Sequence, residues 1–256
     1  MFLHRPDPKY TGSQRARQNL WLAVRLTLVF IALIWLVFLV DHGARLDLAR
    51  FGLRPRQASG LLGLITTPLL HGGLAHIASN TLPLFVGGVA LLFLYPNASL
   101  RALPAMYAGS SAVAWLFARP SVHIGASGLV YAILAFVFMS GLLRRDMRSV
   151  AVSLAIWFVY GSMLGGILPA NTRISWELHV SGLFVGLVLA FVFRHVDRVP
   201  LKRYDWELEE DGDSDWSDHM WGGDGDDDWY DGPDESDGSN SSSNNNDSDN
   251  DNRWLH

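Results

Sequence analysis

The chain contains no cysteine, and acidic residues are almost absent from most of its length. Without cysteine it can form neither a disulfide nor a thiolate metal site, and this leaves its redox environment open. Residues 1–204 contain only six Asp or Glu but 19 of the 20 Lys and Arg, a formal charge of +13. The other 19 acids lie in residues 205–251. The formal charge of −5 therefore averages two unlike parts and does not indicate an ordinary acidic soluble protein.

Long apolar runs fill the basic part of the chain. The first, at 21–40, contains a single charge, Arg25, whose long stem can reach the membrane interface. Five more runs follow, so the predicted spans are 21–40, 75–94, 102–117, 127–143, 150–168 and 178–193. Two are slightly short for a full span, which helices that begin in a buried polar cavity can be. The sequence predicts an all-α, polytopic membrane protein with six transmembrane helices over residues 20–198.

The basic residues between the spans predict an orientation. With the N-terminus inside, twelve Lys and Arg flank the spans on the inner side and six on the outer side. This bias predicts that the N-terminal segment 1–19 and the C-terminal end are both cytoplasmic, although four arginines in the first outer loop run against it. We expect no cleaved signal peptide, because the first run starts late and ends without a small-residue cleavage pattern.

The C-terminal part, 199–256, is predicted to be a basic juxtamembrane stretch followed by a disordered acidic tail. From Asp205 onward Asp, Gly, Ser and Asn dominate, with too little apolar surface to offset the entropy of ordering the chain. Its scattered tryptophans are compatible with an unknown partner that binds the tail, but a solvated tail that does little is the favoured interpretation. Its charge argues against nucleic-acid binding.

Two polar residues stand at the heads of apolar runs. Ser127 lies in Gly125-Ala126-Ser127-Gly128, and His179 begins the motif His179-Val180-Ser181-Gly182. A hydroxyl is a weak nucleophile until a neighbouring base takes its proton, so a serine and a histidine are the minimum equipment for nucleophilic catalysis. If the two runs pack together, the sequence predicts a hydrolase inside a membrane.

A third polar group precedes and begins the second span. It comprises His71, His76 and Asn80, and the last two are four residues apart on one helical face. Side chains that donate hydrogen bonds to one point suit an oxyanion site, as does the backbone N–H of Ser127 at a helix N-terminus.

Each motif also has a plainer interpretation. Gly-Ala-Ser-Gly is frequent where small residues pack between membrane helices, and His76 with Asn80 can cross-link helices by hydrogen bonds. His71 and His76 could indicate a metal site, but they are five residues apart and have no neighbouring carboxylate. We expect neither metal nor cofactor. The catalytic interpretation is favoured because all these residues fall at the outer ends of three spans.

The order and spacing of these motifs, over about residues 68–196, resemble those of the rhomboid intramembrane serine proteases. The resemblance implies a Ser127–His179 dyad, with His76 and Asn80 in the oxyanion hole. It also implies supporting roles for six residues: His71, Gly125, Gly128, Tyr131, Gly182 and Gly186. The implied function is cleavage of single-span membrane proteins in or beside their helices, most compatible with a prokaryotic plasma membrane and an active site open to the outer side.

The sequence departs from this family at one position and leaves other functions open. The Trp-Arg pair of the first outer loop is absent from the stretch 51–56, which leaves the conformation of that loop undecided. Glu177, roughly opposite His179 on a helix, is expected to be a loop residue near the interface and not a third catalytic residue. The alternatives are a catalytically silent rhomboid-like protein that binds membrane helices for sorting or quality control and, more weakly, a six-helix transporter.

Overall fold

The computed structural model describes residues 14–144, 147–169 and 175–197. The predicted acidic tail and residues 1–13 of the N-terminal segment lie outside these ranges. Within them the chain is helical and contains no strand, only an isolated antiparallel bridge between Leu53 and His123. The prediction of an all-α protein is confirmed.

The predicted apolar runs lie in the long helices of the structure. In chain order the α-helices are α1 (Gln14–Ala44), α2 (Gly63–Thr66), α3 (Leu74–Leu94), α4 (Pro96–Phe117), α5 (Ser127–Arg144), α6 (Met147–Tyr160) and α7 (Trp176–Val192). Helix α4 begins six residues before the predicted run, at a proline whose fixed φ suits a first turn. The predicted run 150–168 changes form along its length, because α6 ends at Tyr160 and a 3₁₀ helix, Gly161–Ile167, follows. Three glycines in that segment favour the α-helix poorly.

Four helices within the described ranges are long and apolar enough to cross a membrane. They are Ala16–Ala44, Leu74–Leu94, Ser127–Arg144 and Ser149–Ile167. Helix α7 is apolar but has only 17 residues, and α4 is not among the four. The number of six spans therefore stays a prediction, whereas an integral membrane protein with several spans is supported.

Large apolar side chains on the outer faces of the helices are exposed. On α1 the exposed fraction is 67% for Val29 and 59% for Leu39, and on α6 it is 89% for Phe158. Large contiguous apolar patches are rare on soluble monomers. The outer surface of the bundle is therefore suited to lipid.

Helix α5 is the centre of the bundle. It contacts α3, α4, α6 and α7, and every residue from Ser127 to Val137 is buried. Because its first residue is Ser127, this central position places the start of α5, and with it the Ser127 hydroxyl, inside the protein.

Helices α5 and α7 meet backbone to backbone along a face of small residues. A Cβ atom added to Gly182 would overlap the carbonyl oxygen of Gly128, and one added to Gly186 would overlap the carbonyl oxygen of Ala132. Only glycine on α7 permits this distance of approach, as at other small-residue interfaces in membranes. The contact brings the head of α7 beside the head of α5.

At the opposite end of α5, Arg144 and Asp197 hold together chain segments that are far apart in sequence. The guanidinium of Arg144 lies over the ring of Tyr95 and donates hydrogen bonds to the carbonyls of Leu94 and Val196. The Asp197 carboxylate accepts hydrogen bonds from two backbone N–H groups at the start of α4, the nearer at 2.8 Å. A carboxylate is favoured there by the unpaired N–H groups and by the helix dipole.

The first loop, whose conformation the sequence left undecided, is packed against the bundle. It forms 3₁₀ helices at Leu48–Phe51, Ala58–Gly60 and Thr67–Leu69, together with α2. Leu53 exchanges two backbone hydrogen bonds of 2.9 Å with His123 in the loop before Ser127. The first loop thus supports the segment that leads into α5.

The close contact of α5 and α7 generates a test of stability. We expect Gly186→Ala to lower the free energy of unfolding by about 1–3 kcal/mol, because the added methyl group cannot fit against the Ala132 carbonyl without a backbone shift. Thermal unfolding in detergent micelles measures the change. Gly43→Ala is the control, since a Cβ there meets nothing within 4 Å. Equal midpoints for Gly186→Ala and Gly43→Ala would contradict the packing.

Candidate active site

Ser127 lies where a tight turn becomes the first turn of α5. Gly125 has φ of 121°, a conformation that side-chain-bearing residues rarely adopt, and α5 begins two residues later. The backbone N–H of Gly125 donates to the Thr67 carbonyl at 2.9 Å, and Ser127 is 7% exposed. The serine hydroxyl is therefore held at a helix N-terminus, where negative charge is favoured.

The His179 ring is held on two sides in the first part of α7. It stacks on the ring of Tyr131 with centroids 4.3 Å apart and planes 11° from parallel. Its Nδ1 lies 2.8 Å from the carbonyl oxygen of Gly166. A carbonyl only accepts, so Nδ1 carries the hydrogen and, in the neutral ring, Nε2 presents a lone pair. This is the tautomer that a general base requires.

The 3₁₀ segment Gly161–Ile167 covers this pair of rings. The Tyr131 hydroxyl donates to the carbonyl oxygen of Met163, and a Cβ added to Gly166 would lie 3.0 Å from Nδ1 of His179. Two backbone carbonyls of one short segment therefore bind the two stacked rings. The sequence analysis missed Gly166, because a backbone acceptor leaves no side-chain signal.

Backbone contacts place the neighbours of Ser127 and His179 side by side. A Cβ on Gly128 would lie 3.2 Å from the carbonyl oxygen of Leu178, the residue before His179. Among the residues that the structure describes, no hydrogen bond joins the Ser127 hydroxyl to the His179 ring. Catalytic hydrogen bonds are often long in the absence of substrate and shorten when it binds.

His71, Asn80 and His76 form one connected group beneath the loop that leads to Ser127. The Asn80 amide donates to the carbonyl oxygen of His76 at 3.0 Å and lies 3.3 Å from Nε2 of His71. The same nitrogen of His71 accepts a hydrogen bond from the Ala126 N–H at 3.3 Å. The His71 ring thus connects α3 to the residue before Ser127.

The His76 ring lies directly against the turn at Gly125. A Cβ added to Gly125 would lie 2.6 Å from Nε2 of His76, so only glycine fits beside this ring. The rings of His71 and His76 are in edge contact, with centroids 5.0 Å apart. The histidines, asparagine and serine singled out in the sequence thus lie at one end of the bundle, at or just before the starts of α3, α5 and α7.

The predicted environment of Glu177 is wrong. It lies in the first turn of α7 and is 1% exposed, not in a loop near the interface. Its carboxylate oxygen Oε1 lies 3.4 Å from both the backbone nitrogen and Nε of Arg119. The charge is tolerated in the interior because it is paired, and this long-range partner is not visible in the local sequence.

In the described part of the chain, no group of three or more His, Cys, Asp or Glu side chains is arranged to hold a metal ion. His71 and His76 are neighbours, but His71 is engaged with Asn80 and with the Ala126 N–H. The described residues bring together a serine at the start of α5 and an oriented imidazole near the start of α7.

The fold and the site define a class, that of polytopic helical membrane proteins with a serine and an oriented histidine at adjacent helix heads. The family model of the rhomboid domain matches residues 58–196. An uncharacterized protein of Mycobacterium tuberculosis is 34% identical over 203 residues, which cover 75% of this chain and 84% of that protein. The chain belongs to the rhomboid family.

Two relatives whose names include rhomboid protease have lower sequence identity to this chain. The rhomboid protease GlpG of Haemophilus influenzae is 25% identical over 173 residues, 66% of this chain and 90% of that protein. The putative rhomboid protease YdcA of Bacillus subtilis is 26% identical over 139 residues, 50% of this chain and 65% of that protein. The resemblance inferred from the motifs is thereby confirmed at the level of the family.

The buried position of His71, before the start of α3, generates a pH prediction. Burial lowers its pKa from 6.5 to about 4, and the neighbouring His76 ring adds to this effect. As the pH falls, His71 therefore binds a proton in the unfolded chain before it does so in the folded protein. We expect the stability that neutral His71 provides to be complete above pH 6.5 and to be lost towards pH 4, on the order of 3 kcal/mol in all.

Thermal unfolding of detergent-solubilised protein between pH 7.5 and 4 measures this effect. His71→Gln keeps a hydrogen-bonding side chain but does not titrate, so its midpoint should fall less steeply on acidification. Parallel curves for the variant and the parent would show that His71 contributes nothing to the acid sensitivity.

Proposed function

We propose that the protein is an intramembrane serine endopeptidase in which Ser127 is the nucleophile and His179 the general base. One observation carries the proposal: the His179 ring is held by Gly166 and Tyr131 in the tautomer with a free Nε2, beside the helix that begins at Ser127. An imidazole oriented in this way is poised to accept a hydroxyl proton.

The proposed reaction has two halves. The Ser127 oxygen attacks the scissile carbonyl carbon while His179 Nε2 takes its proton. The tetrahedral intermediate collapses as His179 returns that proton to the leaving amine, and an acyl-enzyme remains. Water, deprotonated by the same nitrogen, then attacks the ester carbonyl, and His179 returns the proton to the departing Ser127 oxygen as the acid product leaves. The Gly166 carbonyl, which accepts a hydrogen bond from Nδ1, favours the imidazolium formed in each half of the reaction.

The oxyanion is bound by the Ser127 backbone N–H together with the side chains of His76 and Asn80. The first is at a helix N-terminus, and the His76 ring lies beside Gly125, two residues before the nucleophile. His71 supports this loop through the Ala126 N–H, and Asn80 has to exchange a hydrogen bond of the resting state for the oxyanion. Preorganised donors of this kind stabilise the transition state more than the substrate.

The substrates we propose are single-span membrane proteins, cut in or beside their helix. An apolar cavity of about 80 Å³, bordered by the Tyr131 ring that stacks on His179, supports the binding of an apolar substrate side chain. It is lined mainly by Tyr131, Leu134, Phe138, Ile156, Trp157 and Leu183. We further propose a prokaryotic plasma membrane, cytoplasmic termini, and a protease domain over residues 20–198 between the N-terminal segment and the acidic tail.

The second candidate function is a catalytically silent rhomboid-like protein that binds membrane helices. The lack of a hydrogen bond between Ser127 and His179 in the described part of the chain favours it. It differs from the protease in one measurable respect, since a binding protein needs neither the hydroxyl nor the imidazole.

Cleavage of a tagged single-span substrate by the purified protein in liposomes separates the two functions. We expect Ser127→Ala and His179→Ala each to abolish cleavage, because the first removes the nucleophile and the second removes its general base. The control is Ser140→Ala, a buried serine farther along the same helix. Cleavage that survives in both active-site variants would exclude the dyad, and a parent protein that binds but never cleaves would favour the silent alternative.

Removal of the oxyanion donors should reduce turnover and leave the fold intact. We expect His76→Ala and Asn80→Ala each to lower kcat by roughly 10²–10³, the usual loss for one well-aimed donor. Single-turnover kinetics with the same substrate measures the effect, and the thermal midpoint serves as the control for folding. Turnover at the parent rate in both variants would remove the two side chains from the oxyanion site.

A further inference from the structure

A buried carboxylate two residues before His179 is not used in the reaction proposed above. Glu177 is 1% exposed, and its Oε1 is paired with the backbone and guanidinium nitrogens of Arg119. Its other oxygen, Oε2, has no hydrogen-bond partner among the residues described. An ionised acid in an apolar interior is costly unless it is paired. The pairing with Arg119 therefore constrains where the first turn of α7 can lie.

A second buried polar contact joins the same two parts of the chain. His123 is 1% exposed, and its Nε2 lies 3.0 Å from the carbonyl oxygen of Arg119, so this nitrogen carries a hydrogen. In the neutral ring Nδ1 is then an acceptor, and the Ser175 hydroxyl donates to it at 2.5 Å. Ser175 is the residue just before α7.

These four residues, Arg119, His123, Ser175 and Glu177, form what we name the polar clamp. Arg119 follows the end of α4, and His123 lies four residues before Ser127. Ser175 and Glu177 lie four and two residues before His179. The clamp thus joins the loop before Ser127 to the residues just before His179. One contact, between His123 and Ser175, links residues 52 apart in sequence, and the other, between Arg119 and Glu177, links residues 58 apart.

The contact of α5 with α7 leaves a role for such a clamp. Gly128, Gly182 and Gly186 allow the two backbones to touch, but glycine presents no side chain to interlock with the opposite helix. Each residue advances a helix by about 1.5 Å, so a small slip along this smooth face changes the distance between the two reacting groups. Ser127 and His179 share no hydrogen bond in the described structure that would resist the slip.

We propose that the polar clamp is a positioning device that sets the separation of Ser127 and His179, with Glu177 and His123 as positioning residues. The inference rests on the proposed function and adds four residues to it. None of the four forms a hydrogen bond with the Ser127 or His179 side chain in the described structure. Because Glu177→Gln removes a nearby charge whereas His123→Gln does not, a loss of rate that both variants share reports alignment. A misplacement of about 1 Å costs up to roughly 10² in rate, and the loss falls on the chemical step.

The test compares Glu177→Gln and His123→Gln with the parent protein by three measurements. These are kcat and KM for a single-span substrate, the rate at which a small fluorophosphonate labels Ser127, and the thermal midpoint in detergent. Labelling reports the reactivity of the serine without requiring a membrane helix to bind. We expect kcat and the labelling rate to fall together by roughly tenfold to a hundredfold, with KM unchanged.

The controls separate loss of charge from loss of alignment. Asp47→Asn removes an exposed acid from the first loop and should leave all three measurements unchanged. Arg119→Lys keeps the cation and the backbone N–H, so it should retain most of the rate that Arg119→Gln loses. If Glu177→Gln does not fold, the double variant Arg119→Gln/Glu177→Gln replaces it under the same criteria, because it leaves no unpaired buried charge.

Two outcomes would overturn the clamp. One is parent-like kcat and labelling in both Gln variants, even if the midpoint drops, since the contacts would then be structural only. The other is a rise in KM with kcat and labelling unchanged, which would assign the four residues to substrate binding. Ser127→Ala is measured alongside: labelling and cleavage that survive in it would refute the proposed protease, whatever the clamp variants do.

Discussion

The close approach of α5 and α7 is the constraint on which the rest of the structure depends. Because Gly182 and Gly186 have no side chains, the carbonyls of Gly128 and Ala132 lie in contact with the opposite backbone. At that distance the ring of Tyr131 on α5 can stack on the ring of His179 on α7. A larger residue at either glycine would separate the rings, and with them the heads of the two helices. The chemistry proposed for this end of the bundle therefore depends on glycine at positions 182 and 186.

A second constraint comes from the apolar surroundings, where a polar group without a partner is expensive. Most polar groups around the site are paired with backbone atoms. His179 donates to Gly166, Tyr131 donates to Met163, and Asn80 donates to the His76 carbonyl. Backbone acceptors are held by the fold and cannot change rotamer, so the rings they bind are preorganised. The orientation of His179 therefore depends on the position of the segment Gly161–Ile167, which supplies the Gly166 carbonyl and also covers the two rings.

The positions of most residues of the candidate site could be predicted from the sequence, because the motifs are local. Ser127 at a glycine turn, and His76 four residues before Asn80, show their geometry within a few positions. The apolar runs likewise predicted where the long helices lie, although α1 and α4 begin seven and six residues earlier than predicted and α6 becomes a 3₁₀ helix after Tyr160. Glu177 was misjudged for the opposite reason, since its burial depends on Arg119, which is 58 residues away. The ordered first loop could not be predicted either, because its support is a backbone bridge between Leu53 and His123.

The sequence by itself determined that this is a helical membrane protein of the rhomboid type and which serine, histidines and asparagine stand at the helix heads. The helices follow from the length of the apolar runs and the positions of the polar residues from spacings within one turn, both set by neighbouring residues, whereas the rhomboid type is implied by the resemblance of several motifs in order. Only the tertiary structure decided the partner of each group. The Gly166 carbonyl that selects the His179 tautomer is 13 residues away, and the His71 ring that holds the Ala126 N–H is 55 residues away. Such partners are chosen by how the helices pack, since in an apolar interior each polar group pairs with whatever the folded chain brings within reach.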